Sequence, residues 1–133
     1  MSIRILLVED HPIVRLGLHM LIEGELDVDI VGEAGTAKEA LEAVDALKPD
    51  VVVMDIALPD LSGIDATSEI KQRHPETVIL ALTIHDDKEY FSKMLEVGGS
   101  GLVSKQAAPK ELLTAIRTTA RGEIYPFSSR KSF

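Results

Sequence analysis

A chain of 133 residues with 45% hydrophobic composition is long enough for one domain with one real core. Its 14 Lys plus Arg against 22 Asp plus Glu leave a formal charge of -8, which argues against a nucleic-acid surface, because phosphate binding needs clustered positive charge. The absence of cysteine excludes disulfides and thiol chemistry, no apolar run reaches membrane-spanning length, and Met1 to Asp10 lacks a signal peptide's charged start and cleavage site, so a soluble, cytoplasmic protein is expected.

Ile3 to Val8 reads as a strand. Pro12 to Glu23 has helical periodicity, with Pro12 suited to a first helical turn and Gly24 at the exit. A second strand covers Val28 to Ala34. Ala37, Ala40, Leu41, Val44 and Leu47 then recur at helical spacing behind Thr36 as N-cap, with Glu39 three residues on to make a capping box. Val51, Val52 and Val53 are β-branched, too few for a helix, and fenced by Lys48-Pro49-Asp50 and by Pro59 to Gly63, so Val51 to Asp55 is the third strand. Ile64 to Arg73 is a short helix closed by His74-Pro75, and Val78 to Thr83 the fourth strand. Asp86 to Val97 is a helix ended by Gly98-Gly99, Gly101 to Ser104 a short fifth strand, and Pro109 to Arg121 the last helix, with Gly122 just past its end.

Strand and helix thus alternate five times, which implies a parallel sheet with right-handed crossovers and helices on both faces. The expected class is α/β, a doubly wound (βα)5 flavodoxin-like three-layer sandwich whose five parallel strands run in the order 2-1-3-4-5. Residues 1–122 make one domain. The remainder, 123–133, is aperiodic, and its Ser128, Ser129, Arg130, Lys131 and Ser132 have the composition of a tail or the start of a linker.

A third strand apolar on both faces suits the middle of a parallel sheet, and Asp55 emerges from the core at its C-terminal end, the edge where open α/β sheets bind ligands. An Asp capping a turn is the plainer alternative. The same edge receives Glu9-Asp10 after the first strand, Thr83 at the end of the fourth and Lys105 after the fifth. Three converging carboxylates repel unless a cation sits among them, and hard oxygen donors without cysteine suit Mg²⁺. Lys105 can neutralise a phosphoryl oxygen and Thr83 can donate a hydrogen bond to another, which makes this a site for phosphoryl transfer to a carboxylate. Each residue also has an ordinary role: Glu9-Asp10 can cap the first helix, Thr83 can be a routine strand residue, and Lys105 a solvated charge. The histidines at 11, 19, 74 and 85 have no ligand spacing, so no metal binding is expected of them.

LLVEDH, VVVMDIALPDLSG, ALTIHDD and GGSGLVSK resemble the signature segments of bacterial two-component response-regulator receiver domains, those of the NarL/FixJ (LuxR-type) group above all. The resemblance implies that Asp55 accepts a phosphoryl group from a sensor histidine kinase. It implies Asp10 as a direct Mg²⁺ ligand, Glu9 acting largely through water, the Ala57 backbone carbonyl completing the protein ligands, and Thr83 and Lys105 on the phosphoryl group. It further implies a signalling switch rather than a turnover enzyme, a homodimer as one assembly, and DNA contact only through a C-terminal domain that this chain does not contain. The surface from Asp86 to Arg121 is the expected partner face, with the first and fifth helices as the alternative. Two positions depart from the family pattern: Leu102 stands where Tyr or Phe is usual, and Gly98-Gly99 where Gly-Ala is usual. A phosphatase of haloacid-dehalogenase type would need a second acid two residues beyond Asp55, where Ala57 stands. A degenerate interaction module that is never phosphorylated is the remaining alternative.

Overall fold

In the computed structural model, residues 2–84 and 88–126 are described, and they form five strands alternating with five helices. The strands are β1 (Ile3–Val8), β2 (Val28–Ala34), β3 (Val51–Asp55), β4 (Val78–Thr83) and β5 (Gly101–Ser104). Between and after them come α1 (Pro12–Ile22), α2 (Ala37–Leu47), α3 (Gly63–Arg73), α4 (Lys88–Glu96) and α5 (Ala108–Ala120). All four strand pairings are parallel, in the order β2-β1-β3-β4-β5. This is the doubly wound, flavodoxin-like sandwich expected from the alternation.

The parity of each strand divides the core in two. Leu6, Val8, Val52, Met54, Ile79, Ala81 and Leu102 face the layer of α2, α3 and α4. Ile5, Leu7, Val51, Val53, Leu80, Leu82 and Val103 face α1 and α5. Both sides of β3 are therefore covered, which is why its sequence is continuously apolar rather than alternating. Leu102 is buried among Ala81, Met94 and the half-buried Tyr90 and Phe91.

Long-range capping fixes α2 at both ends. At its start Thr36 accepts the Glu39 N–H at 3.0 Å as the capping box requires, but the Glu39 carboxylate reaches the Gly35 N–H at 2.8 Å, one residue beyond the expected partner. Asp60, from the loop after β3, accepts the Ala37 and Lys38 N–H groups at 2.8 and 3.0 Å, and these bonds hold its carboxyl below the usual range. At its end Lys48 takes the left-handed conformation, φ 48°, and the Arg4 guanidinium binds the Lys48 and Leu47 carbonyls at 2.7 and 2.8 Å. Gly98, at φ +95°, turns the chain out of α4, a conformation that a side chain there would strain.

Beyond α5 the chain folds back. The Tyr125 N–H binds the Ser100 carbonyl at 2.8 Å, its hydroxyl donates to Glu111 at 2.8 Å, and its Cβ lies where a side chain on Gly101 would have to go. Asp86 and Asp87, assigned from sequence to the fourth helix, and Ser128 to Ser132 of the tail lie outside the described residues. Among the described residues no helix is long and apolar enough to cross a membrane.

Candidate functional site

A parallel strand that is apolar on both faces delivers its first polar residue where the helical layers end, so the C-terminal edge of the sheet collects such residues from several strands. Glu9 leaves β1 with its side chain fully buried, and Asp55 closes β3 nearly as deep. Thr83 ends β4 and is buried. The backbone N–H of Lys105 binds the Thr83 carbonyl at 2.8 Å, which fixes where the lysine side chain begins.

These side chains meet. Lys105 Nζ lies 2.9 Å from Asp55 Oδ2, as a hydrogen bond, and 2.9 Å from Glu9 Oε1, an ion pair whose angles fall short of one. The other Asp55 oxygen, Oδ1, accepts the Ala57 N–H at 3.0 Å. Glu9 Oε2 accepts the backbone N–H of His11 at 3.1 Å and stands 2.9 Å from His11 Nδ1. Glu9 therefore ties down the residue that precedes α1, although no side chain caps that helix, while also facing Lys105. Asp10 Oδ1 is closed to solvent and accepts no hydrogen bond.

The loop that carries Asp55 is braced on both sides. Ile56 N–H binds the Leu82 carbonyl at 2.9 Å, and Gly63 N–H binds the Ile56 carbonyl at 2.7 Å. Gly63 opens α3 so close to this loop that a Cβ there would overlap the Asp55 carbonyl oxygen and stand 2.8 Å from Ile56 Cα.

Burial alone would lower the Lys105 ammonium, but its contacts with Glu9 and Asp55 outweigh that cost and hold its pKa above the ordinary 10.5. The hydrogen bond to Glu9, followed by the charge of Asp10, raises His11 above 6.5. Two carboxylates, of Glu9 and Asp55, thus face one ammonium, and Asp10 lies beside them. One donor atom from each of Glu9, Asp10, His11 and Asp55 lies within 4.8 Å of the others, a spread that ligands of one cation can adopt. With the orphaned Asp10 oxygen, this donor set fits a divalent ion. A cleft of about 270 Å³ opens beside it, lined in part by His11, Asp55, Ala57, Thr83, Tyr90 and Lys105.

Every residue singled out at the strand ends lies at this edge. The sequence reading set His11 aside with the other histidines; its adjacency to Glu9-Asp10 is the signal that could have marked it. Tyr90 was missed because it reaches the cleft from α4.

The response regulator receiver domain profile matches residues 5–117. The oxygen regulatory protein NreC of Staphylococcus haemolyticus is 41% identical over 123 residues, which cover 92% of this chain and 57% of that protein. The chain therefore spans little more than half the length of this relative. A two-component response regulator of the LuxR family from Aurantimonas has a crystal structure that superposes with a TM-score of 0.93 at 39% identity, covering 99% of this chain and 94% of that one. The receiver domain of the putative response regulator NarL from Mycobacterium tuberculosis superposes with a TM-score of 0.86 at 27% identity, over 92% of this chain and 98% of that one. A profile match across most of the chain and a superposition that leaves almost nothing over place it in the response-regulator receiver domain family, in the company of the NreC, NarL and LuxR-type regulators.

Proposed function

We propose that this receiver domain is a Mg²⁺-dependent phosphoacceptor switch in which Asp55 takes its phosphoryl group from the phosphohistidine of a sensor histidine kinase. The observation that carries this reading is the buried Asp55 carboxylate, held by Ala57 N–H on one oxygen and by Lys105 on the other, with two further acids beside it. In the transfer an Asp55 oxygen attacks phosphorus, the P–N bond to the donor imidazole breaks, and its electron pair leaves with the nitrogen. The Ala57 N–H keeps the carboxylate oriented through the step. Lys105 then follows the charge from the carboxylate to a phosphoryl oxygen, and Thr83 donates its hydroxyl to another. Glu9, Asp10, Asp55 and the Ala57 carbonyl would hold the Mg²⁺. When bound, the ion supplies positive charge that offsets the carboxylates and the incoming phosphate. The domain works as a cytoplasmic switch and not as a turnover enzyme.

Asp10→Ala tests the cation site. Metal titration of this variant should show much weaker Mg²⁺ binding, and phosphorylation by a small phosphodonor should slow by a large factor with little loss of fold. Unchanged Mg²⁺ affinity would return Glu9-Asp10 to a capping role.

In this reading 1–122 is the receiver, and 123–133 begins the connection to a C-terminal DNA-binding domain through which the full-length protein regulates transcription. Of the two partner faces, the exposed apolar side chains favour the first and fifth helices: Ile13, Leu16 and Met20 of α1 are 85%, 60% and 63% exposed beside an apolar groove against Ala108 and Pro109 of α5. Crosslinks in a phosphorylated homodimer or a kinase complex should therefore fall on α1 and α5. Crosslinks confined to α2 and α3 would contradict this placement.

A further inference from the structure

The chain does not leave the domain at the end of α5. Arg121 closes that helix, and Gly122, at φ +88°, turns the backbone back toward the sheet, a conformation that favours glycine. Of residues 121–126 only Tyr125 is partly withdrawn from solvent, and the other five are exposed. Tyr125 packs against the core layer that contains Leu80, Val103 and Leu112. Its N–H binds the Ser100 carbonyl at 2.8 Å, and its hydroxyl donates to Glu111 in the first turn of α5 at 2.8 Å, so both ends of the residue are tied down. Ser100 precedes β5, the last strand of the sheet, which pairs with β4 on its other side. The seat is Gly101. A Cβ there would stand 2.9 Å from the Tyr125 Cβ and 3.1 Å from its carbonyl oxygen, so the missing side chain at the start of β5 makes room for the returning backbone. Pro126 follows and has no N–H to donate to the sheet.

We propose that residues 122–126 are a strap by which this chain occupies the corner between β5 and α5, and that the strap fixes the point from which the chain leaves the receiver. Three separate features of the sequence meet in it: a helix stop that reverses the chain, a ring three residues on, and a strand that begins without a side chain. The occupant of the corner is therefore this chain and not a second molecule. A partner approaching the start of β5 and Glu111 of α5 must displace Tyr125, whereas the groove between α1 and α5 is lined by none of the strap residues. The docked contacts hold whether or not Asp55 is phosphorylated. Where the full-length protein continues into a DNA-binding domain, as proposed above, that domain hangs from a fixed exit beside β5 and not from the end of α5.

Glu-C protease, which cuts after glutamate, tests the strap in the whole chain. Cleavage after Glu123 needs Ile124 and Tyr125 pulled free, and it releases 124–133, a segment with no further glutamate. Intact mass follows the loss of that segment in short incubations. Cleavage should be slow in the unaltered chain and faster by about ten-fold or more in Tyr125→Ala, because a packed ring and its hydrogen bond hold the strap docked. Gly101→Ala leaves the sequence around the cleaved bond untouched and should accelerate cleavage likewise, since its methyl meets the Tyr125 backbone. Both variants should keep the circular-dichroism spectrum of the folded domain; should Gly101→Ala fail to fold, Tyr125→Ala decides alone. Equal cleavage rates in the folded variant and the unaltered chain overturn the strap. Acceleration seen only in protein that has lost the folded spectrum overturns it too, because the protection then belongs to the whole fold.

Discussion

Lys105→Met should slow phosphoryl transfer to Asp55 by about 10²–10³-fold, the range expected when one preorganised charge is withdrawn from a developing oxyanion. The methionine keeps the length of the side chain and removes the ammonium that stands 2.9 Å from both Glu9 and Asp55. Rates of phosphorylation by acetyl phosphate, followed by intact mass, check the figure; a variant as fast as the unaltered chain would remove Lys105 from the chemistry. The substitution also leaves two buried carboxylates without their counter-charge, at a cost of about 1–3 kcal/mol, and Mg²⁺ should reduce that cost. Because the folded-state pKa of Lys105 is raised, its contribution to stability is fully present below the unfolded value of 10.5 and is lost as pH rises through the higher folded value. Denaturant melts should accordingly show the unaltered chain losing stability above pH 10.5 that Lys105→Met never had.

Gly63→Ala should destabilise the domain by about 1–3 kcal/mol and slow phosphorylation as well. The added methyl would meet backbone, the Asp55 carbonyl oxygen and Ile56 Cα, and not the yielding end of a side chain. Relief requires the loop from Ile56 to Ser62 to move, and that loop carries the Ala57 N–H that orients Asp55. Gly99→Ala is the milder contrast: its Cβ would meet the flexible terminal methyl of Met94 first, and the nearest backbone atom, the Met94 carbonyl oxygen, would stand at 3.0 Å. Urea melts of the two variants, combined with their phosphorylation rates, separate the effects. A Gly63→Ala protein as stable and as quickly phosphorylated as the unaltered chain would show that the loop is not fixed by this contact.

The parts of the fold that local chemistry dictates were legible in the sequence. β3 runs from Val51 to Asp55 because a β-branched run is fenced by turn residues on both sides, and α1 begins at Pro12 because a proline without an N–H costs nothing in a first helical turn. The convergence of Glu9, Asp10, Asp55, Thr83 and Lys105 followed from parallel strands that all end at one edge. What the sequence hid depends on residues far apart along the chain. Asp60 caps α2 from the loop after β3, and Arg4 closes the other end of α2 from β1. Neither reads as a cap, because caps are recognised by short spacing. The docking of Tyr125 on Ser100 and Glu111 was hidden for the same reason, since a segment that lacks periodicity can still carry one anchoring ring. His11 joins the cluster through its place in the chain beside Glu9-Asp10, which no spacing among the histidines would reveal.

The most direct test of the account is the intact mass of the chain and of Asp55→Asn after incubation with Mg²⁺ and acetyl phosphate. The unaltered chain should gain one phosphoryl group and Asp55→Asn none, because the amide cannot supply the attacking oxygen. An Asp55→Asn protein that gains the group at the rate of the unaltered chain would contradict the assignment of Asp55 as the phosphoacceptor.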